Sequence, residues 1–159
     1  MDRTINAIDL RLNAAILTIA SRLFPAGYDL DDAAPSGLAD LQERMNAYRK
    51  RVWSGASATT IYGDPEVNYA FRAWHDYHYW RSGLDFTPHH EAIVAELQCA
   101  DIIKVYGDSE MTRHWCEIIR AEVIGQMAHF YLHGDYPVDQ MAFVQAYLKD
   151  KIVALAQVF

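Results

Sequence analysis

Three observations predict an all-α fold. Apolar residues recur at three- and four-residue spacing over long stretches. Proline and glycine stand where helices start and stop. Almost no stretch alternates apolar with polar residues as a half-buried strand would. The 159 residues match one compact domain, and a hydrophobic fraction of 52% supplies a core. We therefore expect a single all-helical domain over residues 1–159, an antiparallel bundle of about six helices. Residues 1–53 would form an N-terminal helical pair and residues 64–159 a four-helix core.

The first helix is expected from Thr4 to Leu23, with Ile5, Ile8, Leu12, Ile16, Ile19 and Leu23 on one face. Phe24, Pro25 and Gly27 end it, and an acidic loop with Asp29, Asp31 and Asp32 follows. Ser36 is expected to cap a second helix whose buried stripe is Leu38, Leu41, Met45, Tyr48 and Val52. Arg44, Arg49, Lys50 and Arg51 cluster at its end, where cations complement the helix dipole. The small, polar stretch from Ser54 to Thr60 reads as a mobile connector.

Asp64, Pro65 and Glu66 form a strong start for helix three: a cap, a proline at the first position and a negative charge beside the positive dipole end. That helix stops at Gly83. Thr87 and Pro88 repeat the start for helix four, with Gly107 as a left-handed cap near its end. Asp108 or Ser109 opens helix five, which runs to His133 before Gly134. Pro137 begins helix six, which is expected to run nearly to Phe159. Short glycine-containing turns make these last four helices antiparallel neighbours.

Charge narrows the function. Fourteen basic against 21 acidic residues give a net charge of −7. General nucleic-acid binding needs a basic face and is disfavoured. Charges at Asp2, Arg3, Asp9, Arg11 and Arg22 interrupt the N-terminal apolar residues, which excludes a signal peptide or membrane span there. A cytoplasmic location follows as the expectation, with reduced thiols. Cys99 and Cys116 are too few for a disulfide scaffold. They come level across a turn at Gly107 and read as two core thiols. A cysteine nucleophile would need His114 beside Cys99, which the spacing does not favour. No glycine-rich phosphate loop, nucleophile elbow or His-Glu-x-x-His is present.

The candidate chemistry is a His/carboxylate pocket. His75 and His78 share a helix face within the aromatic run from Phe71 to Trp80. A turn centred at residue 84 or 85 puts His78 level with Glu91, and a turn at Gly107 puts Glu91 level with Glu122. Helix five adds Gln126, His129 and His133 on the face of Glu122. Imidazole and carboxylate on several helices suit a divalent metal, zinc, manganese or iron. His75, His78, Glu91, Glu122 and His129 are then the candidate ligands. Asp76 would orient a histidine or act as general base on a metal-bound water. A metal-free polar network, with Glu122 paired to an arginine such as Arg72, uses the same residues. A ferritin-like di-iron site needs two Glu-x-x-His motifs, and the chain has none. His75-Asp76 resembles the HD phosphohydrolases, but those enzymes take an earlier histidine and none precedes residue 75 here.

A looser resemblance covers residues 63 to 130. Phe71-Arg72-x-x-His75-Asp76, then Gly83-x-x-Phe86, Glu91 and Glu122-x-x-Gly125-Gln126, resembles a pattern in uncharacterised helical proteins of phages and prophages. Tyr77-His78 and Gln98 stand where that pattern carries Gly-His and a further histidine. The resemblance implies a viral origin, a bacterial host cytoplasm, and one pocket shared by His75, Asp76, Glu91, Glu122 and Gln126, with Phe71, Arg72 and Gln98 as further candidate pocket residues. It implies no reaction.

Ten tyrosines and four tryptophans suit an interface. The apolar stripe of helix six, from Met141 to Phe159, is broader than one core-facing side requires. It fits a homodimer or a docked partner as well as a buried central helix. Two functions stay open. One is protein–protein interaction with a host or viral partner, with the acidic loop at Asp29–Asp32 as a docking surface. The other is a divalent-metal-binding protein or hydrolase.

Overall fold

The computed structural model describes residues 7–159 and is all-α apart from one two-stranded parallel sheet. The helix expected from Thr4 starts later, at Leu10, and Thr4 and Ile5 lie outside the described residues. The chain divides into two compact units, one ending at Phe86 and the other running from Thr87 to Phe159. The boundary corrects the grouping expected from sequence. Helix three packs on the helices that precede it and belongs with them, so 64–159 is not one four-helix core. Among the described residues no helix is long and apolar enough to cross a membrane.

In the first unit α1 (Leu10–Leu23) is capped by the Asp9 carboxylate, which accepts from the Arg11 N–H at 2.8 Å. Leu12, Ile16 and Ile19 are buried, as their spacing requires. Strand β1 (Asp29–Asp31) then pairs in parallel with β2 (Arg51–Trp53). A parallel pair needs a crossover, and α2 (Leu38–Asn46) supplies it. The second helix is thus shorter than its apolar stripe suggests. Gly37, not Ser36, occupies its cap, Tyr48 is fully exposed, and the buried Val52 sits in a strand opposite Leu30.

The reason lies in charge pairing. Arg51 meets Asp31 at 2.9 Å and Arg49 meets Asp29 at 2.6 Å. Arg44, with a side chain only 7% exposed, pairs with Asp40 at 3.0 Å and Asp31 at 3.5 Å. It also donates to the carbonyls of Ala33 at 2.7 Å and Ala34 at 3.4 Å. The basic cluster therefore neutralises Asp29 and Asp31 rather than serving the helix dipole. An exposed acidic docking loop is not what these two aspartates form.

The connector expected to be mobile is pinned. Ser54 N–H donates to the Asp31 carbonyl, Asn68 Nδ2 donates to Ser57 Oγ at 2.7 Å, and Ser57 and Thr60 are buried. Ile61 and Tyr62 beyond it are buried too, and their carbonyls accept from Ile8 N–H and Asn13 Nδ2, both at 2.8 Å. Helix α3 (Pro65–Ser82) begins with the Asp64 cap and proline, and ends at a left-handed Gly83, as expected. It buries Val67, Ala70, Phe71 and Trp74 and packs against α1.

The second unit starts with α4 (Pro88–Tyr106), capped by Thr87. Gly107 has a positive φ of 85° but an extended ψ of 168°, so it turns the chain without forming the left-handed cap. Ser109 and Thr112 make a reciprocal capping box for α5 (Glu110–Arg120). The expected fifth helix continues, but through a π-helical turn, Ala121–Gly125, into α6 (Gln126–His133). Helix six is the larger departure. It starts at Gln140 under an Asp139 cap, not at Pro137, and splits into α7 (Gln140–Lys149) and α8 (Lys151–Leu155). At the break, Asp150 is extended and its carboxylate accepts from the N–H groups of Ile152 and Val153. Aspartate competes with the helical backbone mid-helix and favours a cap. Phe143, Val144 and Ala154 stay buried, while Ile152 and Val158 face solvent.

Losing Arg44 strands two carbonyls and two partly buried carboxylates. Arg44→Met should lower the unfolding free energy in urea by about 2–4 kcal/mol. Arg49→Met, at an exposed pair, should leave the midpoint close to wild type.

Candidate functional site

The sequence-derived site residues fall in both units. In the first, Phe71, His75 and Tyr79 are four apart on α3 and their rings meet in succession. The His75 ring stacks on Phe71 at 6.2 Å and takes Tyr79 edge-on at 5.3 Å. Asp76 is buried, and His78 lies edge-on to Tyr77 at 5.8 Å. Arg72 serves the connector. Its guanidinium donates to the carbonyls of Trp53 at 2.6 Å and Gly55 at 2.8 Å and lies 4.4 Å from the Trp53 ring. A Cβ at Gly55 would come within 2.4 Å of that ring, so only glycine permits this approach.

In the second unit the π turn carries Glu122. Gln126 Nε2 donates to Glu122 Oε2 at 2.5 Å and to Gln140 Oε1 at 3.4 Å. Gly125 closes the turn against Tyr147, whose ring would lie 3.0 Å from an added Cβ. The approach of the α7 aromatic needs this glycine. Gln98 is fully buried on α4. Glu91, in the first turn of α4, makes itself felt at Tyr136. Burial raises that phenol's pKa first, and the Glu91 charge raises it further.

His129 does not present a free nitrogen. Phe159 N–H donates to Nε2 at 3.2 Å, so the ring proton sits on Nδ1, which donates to the Asp135 carbonyl at 2.8 Å. Both nitrogens serve the backbone, which removes His129 from the expected metal ligands. His133 Nε2 donates similarly to the Leu155 carbonyl at 2.8 Å. Among the described residues no three His, Cys, Asp or Glu side chains gather as a metal site requires. The layer drawn through His78, Glu91 and Glu122 takes one residue from the first unit and two from the second.

A third cluster lies between α4 and α5. Cys99 Sγ is 3.7 Å from the Cys116 carbonyl and Cys116 Sγ is 3.9 Å from the Cys99 carbonyl, so the two residues face each other. Both are buried free thiols. The pairing bears out the level position expected across the Gly107 turn. Arg120 and Glu96 make a two-bond fork one turn away, at 2.6 and 2.9 Å. Arg113 and Asp108 make another near the turn, both bonds 2.7 Å. The cysteines line an open cleft of about 550 Å³ with these four charged residues. Cys116 is drawn below its usual pKa, first by the Cys99 side chain beside it and then by the Arg120 charge. Cys99 is pushed up by the Cys116 side chain beside it and by burial.

No family model, curated protein or solved structure matches the chain. Function must therefore be argued from the chemistry of these clusters.

Sequence reasoning missed one surface. Phe130, Tyr131 and Leu132 are three consecutive apolar residues, and a helix cannot turn three successive side chains to one core. That signal was present. In the structure all three are exposed, and Phe130 stacks on Tyr136 at 4.9 Å and meets Tyr131 at 5.6 Å.

His129→Phe keeps a ring but leaves the Asp135 carbonyl and Phe159 N–H without their partner. We expect a loss of about 1–3 kcal/mol in chemical unfolding. Acid sensitivity follows from the carboxylates. Arg49 holds Asp29 below the usual range, the Ser36 N–H and then Arg44 do so for Asp40, Arg120 for Glu96 and Arg113 for Asp108. Each binds its proton less readily folded than unfolded. Their stabilisation is complete above the unfolded carboxylate range and is lost as pH falls through the folded values. Denaturation midpoints should hold steady from about pH 7 to 5 and decline below about pH 4.

Proposed function

We propose that the chain is a protein-binding module, a small phage- or prophage-type protein that docks on a host or viral partner through an aromatic surface of its second unit. One observation carries this reading: Phe130, Tyr131 and Tyr136 form a continuous ring cluster that remains in solvent. Tyr131 is 65% exposed and Tyr136 is 54% exposed. The surface extends beyond the rings. Val138 N–H donates to the Phe159 carbonyl at 2.9 Å, which brings the C-terminus beside the turn and sets exposed Val138 near exposed Val158.

Aromatic side chains bury large areas on binding and lose little rotamer entropy. A contiguous apolar patch is uncommon on a protein that works alone. Leaving it in water forgoes roughly 25 cal/mol for each Å² that a partner would cover. His129, Phe143 and Phe159 pack beneath, with ring centroids 5.3 and 5.4 Å apart, so the patch rests on an ordered base. Preorganised anchors of this kind bind at lower ordering cost.

Site-specific photocross-linking tests the reading. A benzophenone side chain at Tyr131 in bacteria producing the full chain should give a discrete adduct with one other protein. The same probe at exposed Glu117 on α5 should not. Tyr136→Lys should abolish the adduct while leaving the thermal midpoint within a few degrees of wild type. Equal patterns from the two positions would refute the proposal, and an adduct only with a second copy would replace it with a homodimer.

A further inference from the structure

We propose that Cys99 and Cys116 are a reversible dithiol–disulfide site that reacts with low-molecular-weight disulfides entering the cleft between α4 and α5. Four observations converge. The two residues face each other on adjacent antiparallel helices, with each sulfur within 4 Å of the other's carbonyl. No disulfide joins them, so both thiols are available. They lie in a cleft of about 550 Å³, which gives a small reagent a way to otherwise buried sulfur. A guanidinium flanks the cleft on either side, Arg120 one turn beyond Cys116 and Arg113 one turn before it.

These surroundings divide the labour. A thiolate, not a thiol, attacks a disulfide, and nearby cationic charge favours the thiolate. The Cys99 side chain beside it, and then Arg120 four residues on along its own helix face, lower the Cys116 pKa. Cys99 keeps its proton longer. Cys116 is therefore the attacking sulfur and Cys99 the resolving one.

The steps balance. The Cys116 thiolate attacks a disulfide R–S–S–R, forms Cys116–S–S–R and expels RS⁻. Cys99 gives its proton to a thiolate leaving group and attacks Cys116 Sγ, breaking the mixed disulfide and releasing the second RS group. From dithiol to disulfide the protein loses two protons and two electrons, and R–S–S–R takes up both pairs to become two R–SH. Excess dithiol reverses the sequence. Closure requires the sulfurs to come to about 2.05 Å.

The Arg120–Glu96 fork gives the site a gate of fixed charge. Arg120 is held to Glu96 on the opposite helix, so its charge stays beside the thiols instead of swinging into solvent. Arg120→Met removes that charge without touching either sulfur, and its effect is read in thiol reactivity.

The experiment uses the full chain equilibrated with excess glutathione disulfide, then digested with trypsin, which cuts after Lys104 and Arg113 between the cysteines. The expected product is an intact mass lower by two hydrogens, with the Cys99 and Cys116 peptides joined until reduced. Cys99→Ser should accumulate a mixed disulfide on Cys116. In the wild-type chain at neutral pH, a brief pulse of iodoacetamide should alkylate Cys116 several-fold more than Cys99. Arg120→Met should slow Cys116 several-fold. A chain that keeps both free thiols, or forms only intermolecular disulfides, overturns the site. Equal labelling of the two cysteines in the wild-type chain overturns the assigned roles. If a serine variant fails to fold, the wild-type peptide map alone decides whether the site exists.

Discussion

Side chains that reach back to backbone carbonyls are the constraint on which both units rest. Each unit brings non-helical chain up against its core, and such chain cannot satisfy its own carbonyls. In the first unit Arg44 serves Ala33 and Ala34, Arg72 serves Trp53 and Gly55, and Asn13 serves Tyr62. In the second, His129 serves Asp135 and His133 serves Leu155. Without these donors the irregular segments, which include the buried Ile61 and Tyr62, would lose what holds them against the core. An unpaired buried carbonyl costs more than its hydrogen bond contributes. These polar residues are therefore as much part of the core as the leucines.

Helix ends were the legible part of the sequence, because their signals are local. Asp64 with Pro65, Thr87 with Pro88, Ser109, Gly83 and Gly134 all act where they stand. The antiparallel register of α4 and α5 was legible too. It needs only one turn position, and the opposed cysteines follow from it. The parallel strands were not legible. Each has three residues, too few to show an alternating pattern, and the pairing joins segments about twenty residues apart. The decisive signal was complementary charge: an aspartate-rich loop and an arginine-rich helix end, each read by itself, are partners. Asp150 was missed for the opposite reason. It sits inside a convincing apolar stripe, and its capping strength outweighs that periodicity.

The candidate site was legible in its residue types but not in their roles. Histidine, glutamate and glutamine on helix faces suggested ligands, yet His129 spends both nitrogens on the backbone and Arg72 holds a loop. A sequence shows that a side chain has hydrogen-bonding groups. It does not show whether the irregular chain nearby will claim them first. The two cysteines show the reverse case. Sulfur makes weak hydrogen bonds and few structural obligations, so its placement beside Arg120 and Glu96 leaves reactivity available.

The π turn explains how one continuous helical run carries two different surfaces. An extra residue in a turn shifts the downstream face by about 100°, one residue's rotation in an α-helix. Upstream, Trp115, Cys116 and Ile119 are buried. Downstream, His129 alone of its immediate neighbours remains inside, and Phe130, Tyr131 and Leu132 turn out to solvent. Gly125 is what lets this shift coexist with close packing, because Tyr147 fills the space a side chain would take. A regular α-helix through residues 121–125 would place a different set of residues outward. The aromatic surface is thus a consequence of the backbone irregularity, and Glu122 and Gln126 bond across that turn and fasten it.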